Sequence, residues 1–428
     1  MRFWWGSSRG TLDIMRSAYQ RLERLQHYHG FSLYRKTVLY GLWFFIVCLK
    51  VTGLSWLYRQ CMARDACDVL FVFGNASSQA RLDYLAELLE EQNVTVRQVR
   101  LYEAKFYVRA ILFGLRKRIP FNLLAPVCKA QYLVGKYQPK VAVISMNSTV
   151  FPSVFRKELN DNQALLVNLA HGVGYQGIAH TSSDFDYWFV FGQSTIDGKR
   201  KNQNRVGETR AMIVGSPFIF GKNEKVFDLK TNNQSYVMIA SQWTPARDDA
   251  KTALDQSALI IENFIRANHH ITFVVKVHPH DNGERWLGIC KNNQNVQVLD
   301  KNVELGDVLR GANLCLHMSS NVAIEAGILG IPSIAVDPYN CSEHLNLMGF
   351  LPTVKSSLEL GMEFTSVMRN YSSYQKRARK YADYMLGGFE SGAGVRICQH
   401  VCTLINEGFL EGAQTIPDTN FLVKEEAQ

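Results

Sequence analysis

The sequence predicts an α/β protein in which two doubly wound parallel sheets follow one another along the chain. Two observations lead to this prediction. Short apolar runs alternate with amphipathic stretches from Cys67 onward, and the same alternation starts again after the polar stretch 221–235. Strands that alternate with helices pair in parallel and are covered on both faces. The 428 residues, of which 47% are hydrophobic, suffice for two such domains.

The first series begins with DVLFVFG, a strand that ends at Gly74, and continues with a helix that has Leu85 and Leu89 on its apolar face. Further apolar runs predict strands as far as residue 192. The predicted strands are 68–74, 94–100, 140–147, 164–172 and 187–192, and the predicted helix is 80–92.

The second series has the same form and ends in a helical stretch. Its predicted strands are 236–242, 271–279, 296–300, 313–319 and 332–337, and its predicted helices are 248–268, 303–312 and 321–330. Two further helices, 364–385 and 393–408, could cross back to brace both halves. Doubly wound sheets bind ligands at the carboxyl ends of their strands, so we expect a site in the cleft between the two halves.

The N-terminal head combines basic charge with one apolar run. The first 36 residues carry seven Lys and Arg residues against Asp13 and Glu23, and twelve apolar residues run from Val38 to Leu49. Twelve helical residues rise about 18 Å, less than the roughly 30 Å of a hydrocarbon core. We therefore expect the helical segment 37–58 to attach the chain to an anionic membrane surface from one side. A single crossing and a helix of the soluble core remain alternatives.

The rest of the composition argues against several classes of protein. The net charge of +9 is not arranged as a Lys and Arg array interleaved with aromatic residues, so we expect no nucleic-acid partner. The nine cysteines form no CxxC pair, which is typical of reduced thiols and argues against a zinc site. The sequence has no GxxxxGK[ST] loop and no GxSxG elbow, which disfavours a P-loop kinase and the simplest hydrolase.

The predicted strand that ends near residue 171 carries a polar group at its carboxyl end. His171 stands there and is followed by Gly172, Gly174 and Gln176. A histidine in this position can take a proton from a substrate hydroxyl near neutral pH. A packing or capping histidine in a glycine-rich turn explains the same pattern equally well.

A second polar strand end is the sequence KVHPHD at 276–281. Alternation along a strand would place Lys276 and His278 on one face, where both could meet a phosphate. A cation and an imidazole would stabilise the charge on a leaving phosphate without a metal ion, so we expect no metal and no other cofactor. The alternative is an ordinary strand that ends in a His-Pro turn.

A third polar group opens a predicted helix in the second series. Ser319, Ser320 and Asn321 precede this helix, and Glu325 follows one turn later. Hydroxyls and unbonded amides at a helix start bind anions, and Glu325 could accept hydrogen bonds from ribose hydroxyls. Ordinary N-caps and a solvated carboxylate are the alternatives. Arg247, after the first strand of the same series, is a candidate for a bidentate phosphate contact.

The motifs HGxGxQG, TPARDD, KVHPHD and SSNVAIEAGILGIPSIAVDP occur in this order. Together they resemble the GT-B glycosyltransferase superfamily, in particular the bacterial CDP-glycerol glycerophosphotransferases, the capsule-synthesis enzymes and the polysialyltransferases. The resemblance covers about 68–400 and includes a closing GGFESGAGVRI at 387–397. His317 and Met318 depart from the Asp-Tyr pair that is common before the serine pair.

The resemblance implies two Rossmann-like domains, of which one binds the acceptor and the other binds the nucleotide donor. An acceptor domain would cover 67–222 and a nucleotide-donor domain 223–410, between the basic and apolar head 1–66 and a tail 411–428. In the glycerophosphotransferase branch the His-Gly histidine is the proposed base and the His-Pro histidine contacts the donor phosphate. The corresponding residues are His171 and His278, and the serine pair that helps to hold the nucleotide phosphates corresponds to Ser319 and Ser320.

The resemblance also implies the reaction. It would be a metal-independent inverting transfer of a sugar or polyol phosphate from a CMP-, CDP- or UDP-activated donor to a hydroxyl of a lipid-linked glycan. Such an enzyme would make capsule or other cell-envelope polysaccharide. We therefore expect a nucleotide-activated donor, a lipid-linked glycan acceptor and an anionic membrane surface as partners, at the cytoplasmic face of the bacterial inner membrane.

Three alternatives remain open. The first is a nucleotide-sugar 2-epimerase on the same scaffold, and the second is a catalytically silent scaffold of a polysaccharide assembly complex. The third is a Golgi-type lumenal transferase, for which five N-x-Ser/Thr sequons are weak support. These sequons are at Asn75, Asn93, Asn147, Asn233 and Asn370.

Overall fold

The structure is a computed structural model of the 428-residue chain. It describes residues 61–74, 76–80, 82–102, 109–110, 123–146, 149–173, 184–202, 207–218, 235–242, 248–278, 281–318, 320–342, 345–388 and 392–418. The predicted membrane-attached segment, 37–58, lies outside these residues. Within the described ranges, no helix has both the length and the apolar character that a membrane crossing requires.

The described residues fall into two compact units. Of the described residues, those up to Phe191, 199–218 and 392–418 form the N-terminal unit, whereas 192–198 and those from 235 to 388 form the C-terminal unit. The units therefore differ from the predicted domain ranges in three segments, one of which is the predicted tail 411–428, because its strand Gln414–Ile416 belongs to the N-terminal unit. The segment 192–198 lies in the C-terminal unit, and the helix predicted at 393–408 lies in the N-terminal unit.

The N-terminal unit is built on a seven-stranded sheet. Its strands are β1 (Val69–Phe73), β2 (Val96–Arg100), β3 (Val141–Ile144), β4 (Leu165–Leu169), β5 (Tyr187–Val190), β6 (Thr209–Ile213) and, near the chain end, β13 (Gln414–Ile416). The strand order is β13-β6-β5-β4-β3-β1-β2. All neighbours pair in parallel except β13, which is antiparallel to β6. The predicted parallel sheet is confirmed.

Helices cover this sheet and supply much of its core. They are α1 (Ala76–Ala80), α2 (Asp83–Glu90), α3 (Leu124–Tyr137), α4 (Phe151–Asn160) and α12 (Ala393–Glu407). Helix α5 (Gln193–Lys201) is divided between the units, with its residues up to Gly198 in the C-terminal unit. Leu85 and Leu89 of α2 pack with β1 in one buried cluster, as the apolar face of the predicted helix requires. Ile397 and Val401 of α12 belong to the same cluster, so the end of the chain completes the core of its first domain.

The C-terminal unit is built on a six-stranded sheet in which every neighbour is parallel. Its strands are β7 (Tyr236–Ala240), β8 (Phe273–Lys276), β9 (Val296–Leu299), β10 (Ala312–His317), β11 (Ser333–Val336) and β12 (Thr353–Val354). The order is β12-β11-β10-β7-β8-β9, so successive connections run outward in both directions from β7. This is the doubly wound order of dinucleotide-binding sheets.

Helices lie on both faces of the second sheet. They are α6 (Asp248–Ala267), α7 (Glu284–Asn292), α8 (Leu305–Arg310), α9 (Val322–Ile328), α10 (Ser357–Arg369) and α11 (Tyr371–Leu386). On one face, Ile261 and Phe264 of α6 pack with Phe273 of β8. On the other face, Leu309 and Ala326 pack with Met238 of β7. The inner strands β7, β8, β10 and β11 are therefore buried on both sides along most of their length, which explains why they are continuous apolar runs in the sequence.

Helix α9 approaches α11 so closely that Gly327 has no room for a side chain. A Cβ atom at Gly327 would lie 2.6 Å from the backbone oxygen of Ala378 and 2.9 Å from the Cβ of Ala382. Both neighbours belong to α11, and backbone atoms cannot move aside as a flexible side-chain end can. The glycine thus sets the distance between the two helices.

We predict that Gly327→Ala lowers the free energy of unfolding by about 1–3 kcal/mol, because the added methyl group overpacks this contact. Urea-induced unfolding monitored by circular dichroism measures the change. The matched control is Gly361→Ala in α10, where a Cβ would meet no atom within 4 Å. Alanine there should raise stability by up to about 1 kcal/mol, through its better helix propensity. Equal effects of the two substitutions would contradict the steric explanation.

Candidate functional site

The carboxyl ends of four strands of the second sheet lie side by side. Ala240 of β7 pairs in register with Lys276 of β8 and with His317 of β10, and His317 pairs with Ala335 of β11. The connections that follow β7 and β10 run in opposite directions along the sheet, which opens a crevice between these two strand ends. The predicted donor-site residues that the structure describes follow β8 and β10, beside this crevice.

One serine hydroxyl joins the end of β7 to the turn after β8. Ser241 Oγ accepts a hydrogen bond from the backbone N–H of His278 and donates one to Asp281 Oδ2, both at 2.9 Å. The N–H of Asp281 in turn donates to the carbonyl of His278 at 2.9 Å. The other carboxylate oxygen of Asp281 accepts from Gly283 N at 3.1 Å. Both main-chain groups of His278 are therefore bonded.

This arrangement corrects the predicted strand 271–279, which ends earlier, at Lys276. The backbone N–H of His278 bonds to a side chain instead of a neighbouring strand, so the sheet ladder does not reach it. The strand alternation that was predicted to place Lys276 and His278 on one face therefore ends before His278. The His278 imidazole is partly exposed at the carboxyl edge.

The ammonium group of Lys276 is bound to backbone oxygens. Lys276 Nζ donates to the carbonyl of Val277 at 3.0 Å and to the carbonyl of Lys301 at 2.8 Å. Burial lowers the pKa of Lys276, and the nearby carboxylates of Asp300 and Glu304 oppose that shift. Lys276 thus connects the end of β8 to the turn after β9 through a hydrogen bond. Its predicted contact with a donor phosphate stays a prediction.

The residues at the start of α9 differ in whether their side chains cap the helix. Ser320 Oγ accepts from the N–H of Val322 at 3.3 Å, so this serine acts as a capping residue. Asn321 occupies the N-cap position and is exposed, and its side chain makes no capping hydrogen bond. Ser319, like Arg247, lies outside the described residues. Capping therefore accounts for Ser320, and a phosphate contact by the pair stays a prediction.

Glu325 is not the solvated carboxylate that was the alternative interpretation of this position. It is partly buried, and burial raises its pKa from 4.5 to about 7. Its carboxylate forms no hydrogen bond with any described residue, and it is one of the groups that raise the pKa of Cys315 on β10. At neutral pH Glu325 is therefore divided between its protonated and ionised forms, and the protonated form can donate as well as accept.

His317 is the most deeply buried polar group at this edge. The residue is 1% exposed, and neither ring nitrogen has a hydrogen-bond partner among the described residues. Burial lowers its pKa from 6.5 to about 4, against an opposing contribution from the Asp337 carboxylate. Asp337 itself accepts hydrogen bonds from the backbone N–H groups of Cys341 and Ser342 and from the Ser342 hydroxyl. His317 is neutral at physiological pH.

In the N-terminal unit, His171 follows the end of β4. The strand ends at Leu169, and the N–H of Ala170 still donates to Phe189 O at 2.8 Å before the chain leaves the sheet. His171 is exposed, and a Cβ at Gly172 would meet no atom within 4 Å. Gly174 and Gln176 lie outside the described residues.

A buried asparagine supports this edge. Asn168 of β4 is 1% exposed, and its side-chain Nδ2 donates to Met146 O at 2.9 Å, just beyond β3. This bond ties together the carboxyl ends of the two strands that precede His171. Sequence reasoning missed this asparagine, although a single polar residue inside an apolar strand is a signal for such a bond.

Ser241 and Asp281 were missed for a different reason. Each stands directly beside a motif that was recognised, and neither is a typical ligand by itself. The signal available was position: Ser241 follows an apolar strand, and Asp281 follows the His-Pro turn. Only the pairing of β7 with β8 shows that the two side chains meet.

His171 belongs to the N-terminal unit and His278 to the C-terminal unit. That both reach one donor phosphate stays a prediction. Among the described residues, no group of three or more His, Cys, Asp and Glu side chains is arranged to hold a metal ion.

No protein-family model matches the chain, and no curated protein matches its sequence. Solved structures do resemble it. The UDP-GlcNAc 2-epimerase from Neisseria meningitidis bound to UDP-GlcNAc matches at 12% identity with a TM-score of 0.51, over 78% of this chain and 99% of that chain. A putative UDP-N-acetylglucosamine 2-epimerase from Listeria monocytogenes matches at 14% identity with a TM-score of 0.52, over 82% of this chain and 100% of that chain.

The chain has the fold of these proteins. It is the two-unit GT-B fold, so the fold that the sequence motifs implied is confirmed. The wall teichoic acid polymerase TagF also matches at 12% identity, over 94% of this chain and 99% of that chain, with a TM-score of 0.45.

We predict that His317 contributes a loss of stability as the pH is lowered from 6.5 to 4, because the unfolded chain binds a proton at His317 more readily than the folded chain does. Glu325, whose pKa is raised by burial, contributes a change of opposite sign, so the His317 contribution is obtained by comparing wild type with a His317 variant. The shift at His317 corresponds to about 3 kcal/mol, at roughly 1.4 kcal/mol per pKa unit. His317→Leu should remove this dependence and raise stability below pH 6. Urea midpoints between pH 4 and 7 measure it, with the exposed His270→Leu as the control. An unchanged pH profile in His317→Leu would contradict the assignment.

Proposed function

We propose that the chain is an inverting transferase that moves a sugar or polyol phosphate from a CMP-, CDP- or UDP-activated donor to a hydroxyl of a lipid-linked glycan. The observation that supports this proposal best is the carboxyl edge of the second sheet. There a partly exposed histidine is anchored by Ser241, beside the crevice of a doubly wound sheet. The acceptor would come from surface polysaccharide biosynthesis.

On the donor side, His278 would stabilise the departing nucleotide. As the bond between the transferred group and the nucleotide phosphate breaks, the bonding electrons move to a phosphate oxygen. An imidazole N–H donor fixed at that oxygen lowers the barrier because the negative charge grows there. Lys276, Arg247, Ser319, Ser320, Asn321 and Glu325 are the further residues proposed to hold the donor.

On the acceptor side, His171 would act as the general base. The acceptor hydroxyl oxygen forms the new bond, and its proton passes to the imidazole. His171 is exposed just beyond a strand end, and no atom of the described residues lies within 4 Å of the place where a Cβ of Gly172 would stand. An unperturbed histidine accepts a proton near neutral pH, which suits this step. The step needs no metal ion, and we propose that none takes part.

The solved structures bear on the donor through their ligands. The Neisseria meningitidis enzyme was solved with UDP-GlcNAc bound. The S. aureus MnaA protein, which matches at 11% identity with a TM-score of 0.50 over 79% of this chain and 96% of that chain, was solved with UDP. These ligands support a nucleotide-activated donor in a fold of this kind. They do not favour one nucleobase over another for this chain.

A second candidate function is a nucleotide-sugar 2-epimerase, which the likeness to two epimerase structures favours. An epimerase changes its nucleotide sugar without an acceptor, whereas a transferase releases the nucleotide only as the acceptor is consumed. Incubation of the chain with candidate CMP, CDP and UDP donors, with and without lipid-linked glycan, separates the two. A scaffold without catalytic activity should bind none of the nucleotides in calorimetry.

We predict that His171→Ala and His278→Ala each lower the transfer rate by a hundredfold or more, because each removes a group that acts on the reacting atoms. Nucleotide release in the presence of acceptor measures the rate, with and without EDTA. His270→Ala, an exposed histidine at the end of the α6 region, should stay within a factor of two. A variant that keeps a third or more of wild-type turnover removes that histidine from the mechanism.

We also propose that the head attaches the enzyme to the cytoplasmic face of the inner membrane, as its basic residues and the apolar segment 37–58 suggest. We predict that the full chain sediments with anionic phosphatidylglycerol vesicles and that a chain beginning at Ala66 does not. Phosphatidylcholine vesicles are the control for charge. Equal sedimentation of both chains would place the attachment elsewhere.

A further inference from the structure

The hydroxyl of Ser241 holds the chain at the point where it leaves the sheet. The backbone N–H of Ser241 still belongs to the ladder and donates to Lys276 O at 3.1 Å. One residue beyond Val277, the ladder is replaced by the side chain, because the N–H of His278 donates to Ser241 Oγ. The direction in which the chain leaves β8 therefore depends on one hydroxyl group.

The hydroxyl is itself oriented by a carboxylate. A serine hydroxyl has one proton to donate, and here the proton goes to Asp281 Oδ2, which leaves the lone pairs to face the N–H of His278. Asp281 is held from the other side by Gly283 N, and Gly283 has a φ of 74°. Ser241 is 3% exposed, so water does not readily replace these bonds.

We propose that Ser241 and Asp281 are positioning residues for His278, a role that rests on the proposed function. Neither side chain needs to touch the donor. The Ser241 hydroxyl, oriented by the Asp281 carboxylate, holds the N–H of His278, and the backbone N–H of Asp281 holds its carbonyl, which together fix the place from which the imidazole reaches the departing phosphate. A displacement of about 1 Å in a group that acts on the transition state can lower the rate a hundredfold.

The same geometry predicts which kinetic constant changes. A loosened turn still lets the imidazole reach a bound donor some of the time, so donor binding changes little. Stabilisation of the transition state requires the exact placement, so kcat falls. Ser241 and Asp281 act on one turn, and their effects should therefore not add.

The test compares Ser241→Ala, Asp281→Ala and the double variant in the full chain. We expect each single variant to lower kcat between tenfold and a hundredfold with the donor KM within threefold of wild type. The double variant should be no more than threefold worse than the more affected single variant. The matched control is Ser257→Ala: Ser257 is also 3% exposed, and its hydroxyl also donates a hydrogen bond, to Ala253 O in α6.

A second measurement tests the hydrogen bond between the Ser241 hydroxyl and the His278 N–H without relying on catalytic activity. Hydrogen exchange of peptides that contain the His278 amide should become at least tenfold faster in Ser241→Ala and stay unchanged in Ser257→Ala. Unchanged exchange, or faster exchange with wild-type kcat, overturns the positioning role. If Ser241→Ala does not fold, Asp281→Ala gives the same two measurements from a partly exposed position.

Different results would overturn the positioning role and the proposed transferase function. An active wild type, an inactive His278→Ala and a fully active Ser241→Ala overturn the positioning role alone. A wild type that transfers nothing to any glycan acceptor overturns the proposed function and the positioning role with it. A drop in kcat in Ser241→Ala that adds nothing to His278→Ala supports both.

Discussion

The parallel pairing of β7 with both β8 and β10 is the constraint on which the rest of the C-terminal unit depends. It aligns the last residues of three strands and sends the following connections in opposite directions. The positions of Ser241, His278 and Ser320 all follow from it, because each lies just beyond a strand end. A change of one residue in the register of β7 would turn its side chains to the opposite faces of the sheet and move Ser241 away from the N–H of His278.

The strands were predictable because burial on both faces makes them continuous apolar runs, as in β7 and β10. Their ends were less predictable. The sequence predicts β8 to reach residue 279, and the structure ends it at Lys276, because a side chain from another strand takes the next backbone N–H. A contact between residues 241 and 278 depends on pairing that no local pattern contains. Shorter amphipathic elements, such as α7 and β6, were missed because their apolar residues are few and interrupted.

Burial acts on two titratable groups near this edge with opposite sign. It raises the pKa of Glu325 and lowers that of His317, so both groups favour their neutral forms. As the pH falls below 6.5, the lowered pKa of His317 reduces the free energy of unfolding. As the pH rises above 4.5, the raised pKa of Glu325 reduces it. The sequence indicated that polar residues lie at the strand ends and helix starts, but it could not indicate that burial would shift the pKa values of His317 and Glu325. Whether a polar side chain faces water or the sheet is decided by the helix that covers it.

Helix α12 and strand β13 lie at the end of the chain, yet they complete the core and an edge of the first domain. During synthesis, β1 to β6 leave the ribosome long before α12 does, and the whole second domain is made in the interval. Until then Val69, Phe71 and Leu89 lack the apolar partners that Ile397 and Val401 provide. The first domain can therefore complete its core only after the second domain has been synthesised.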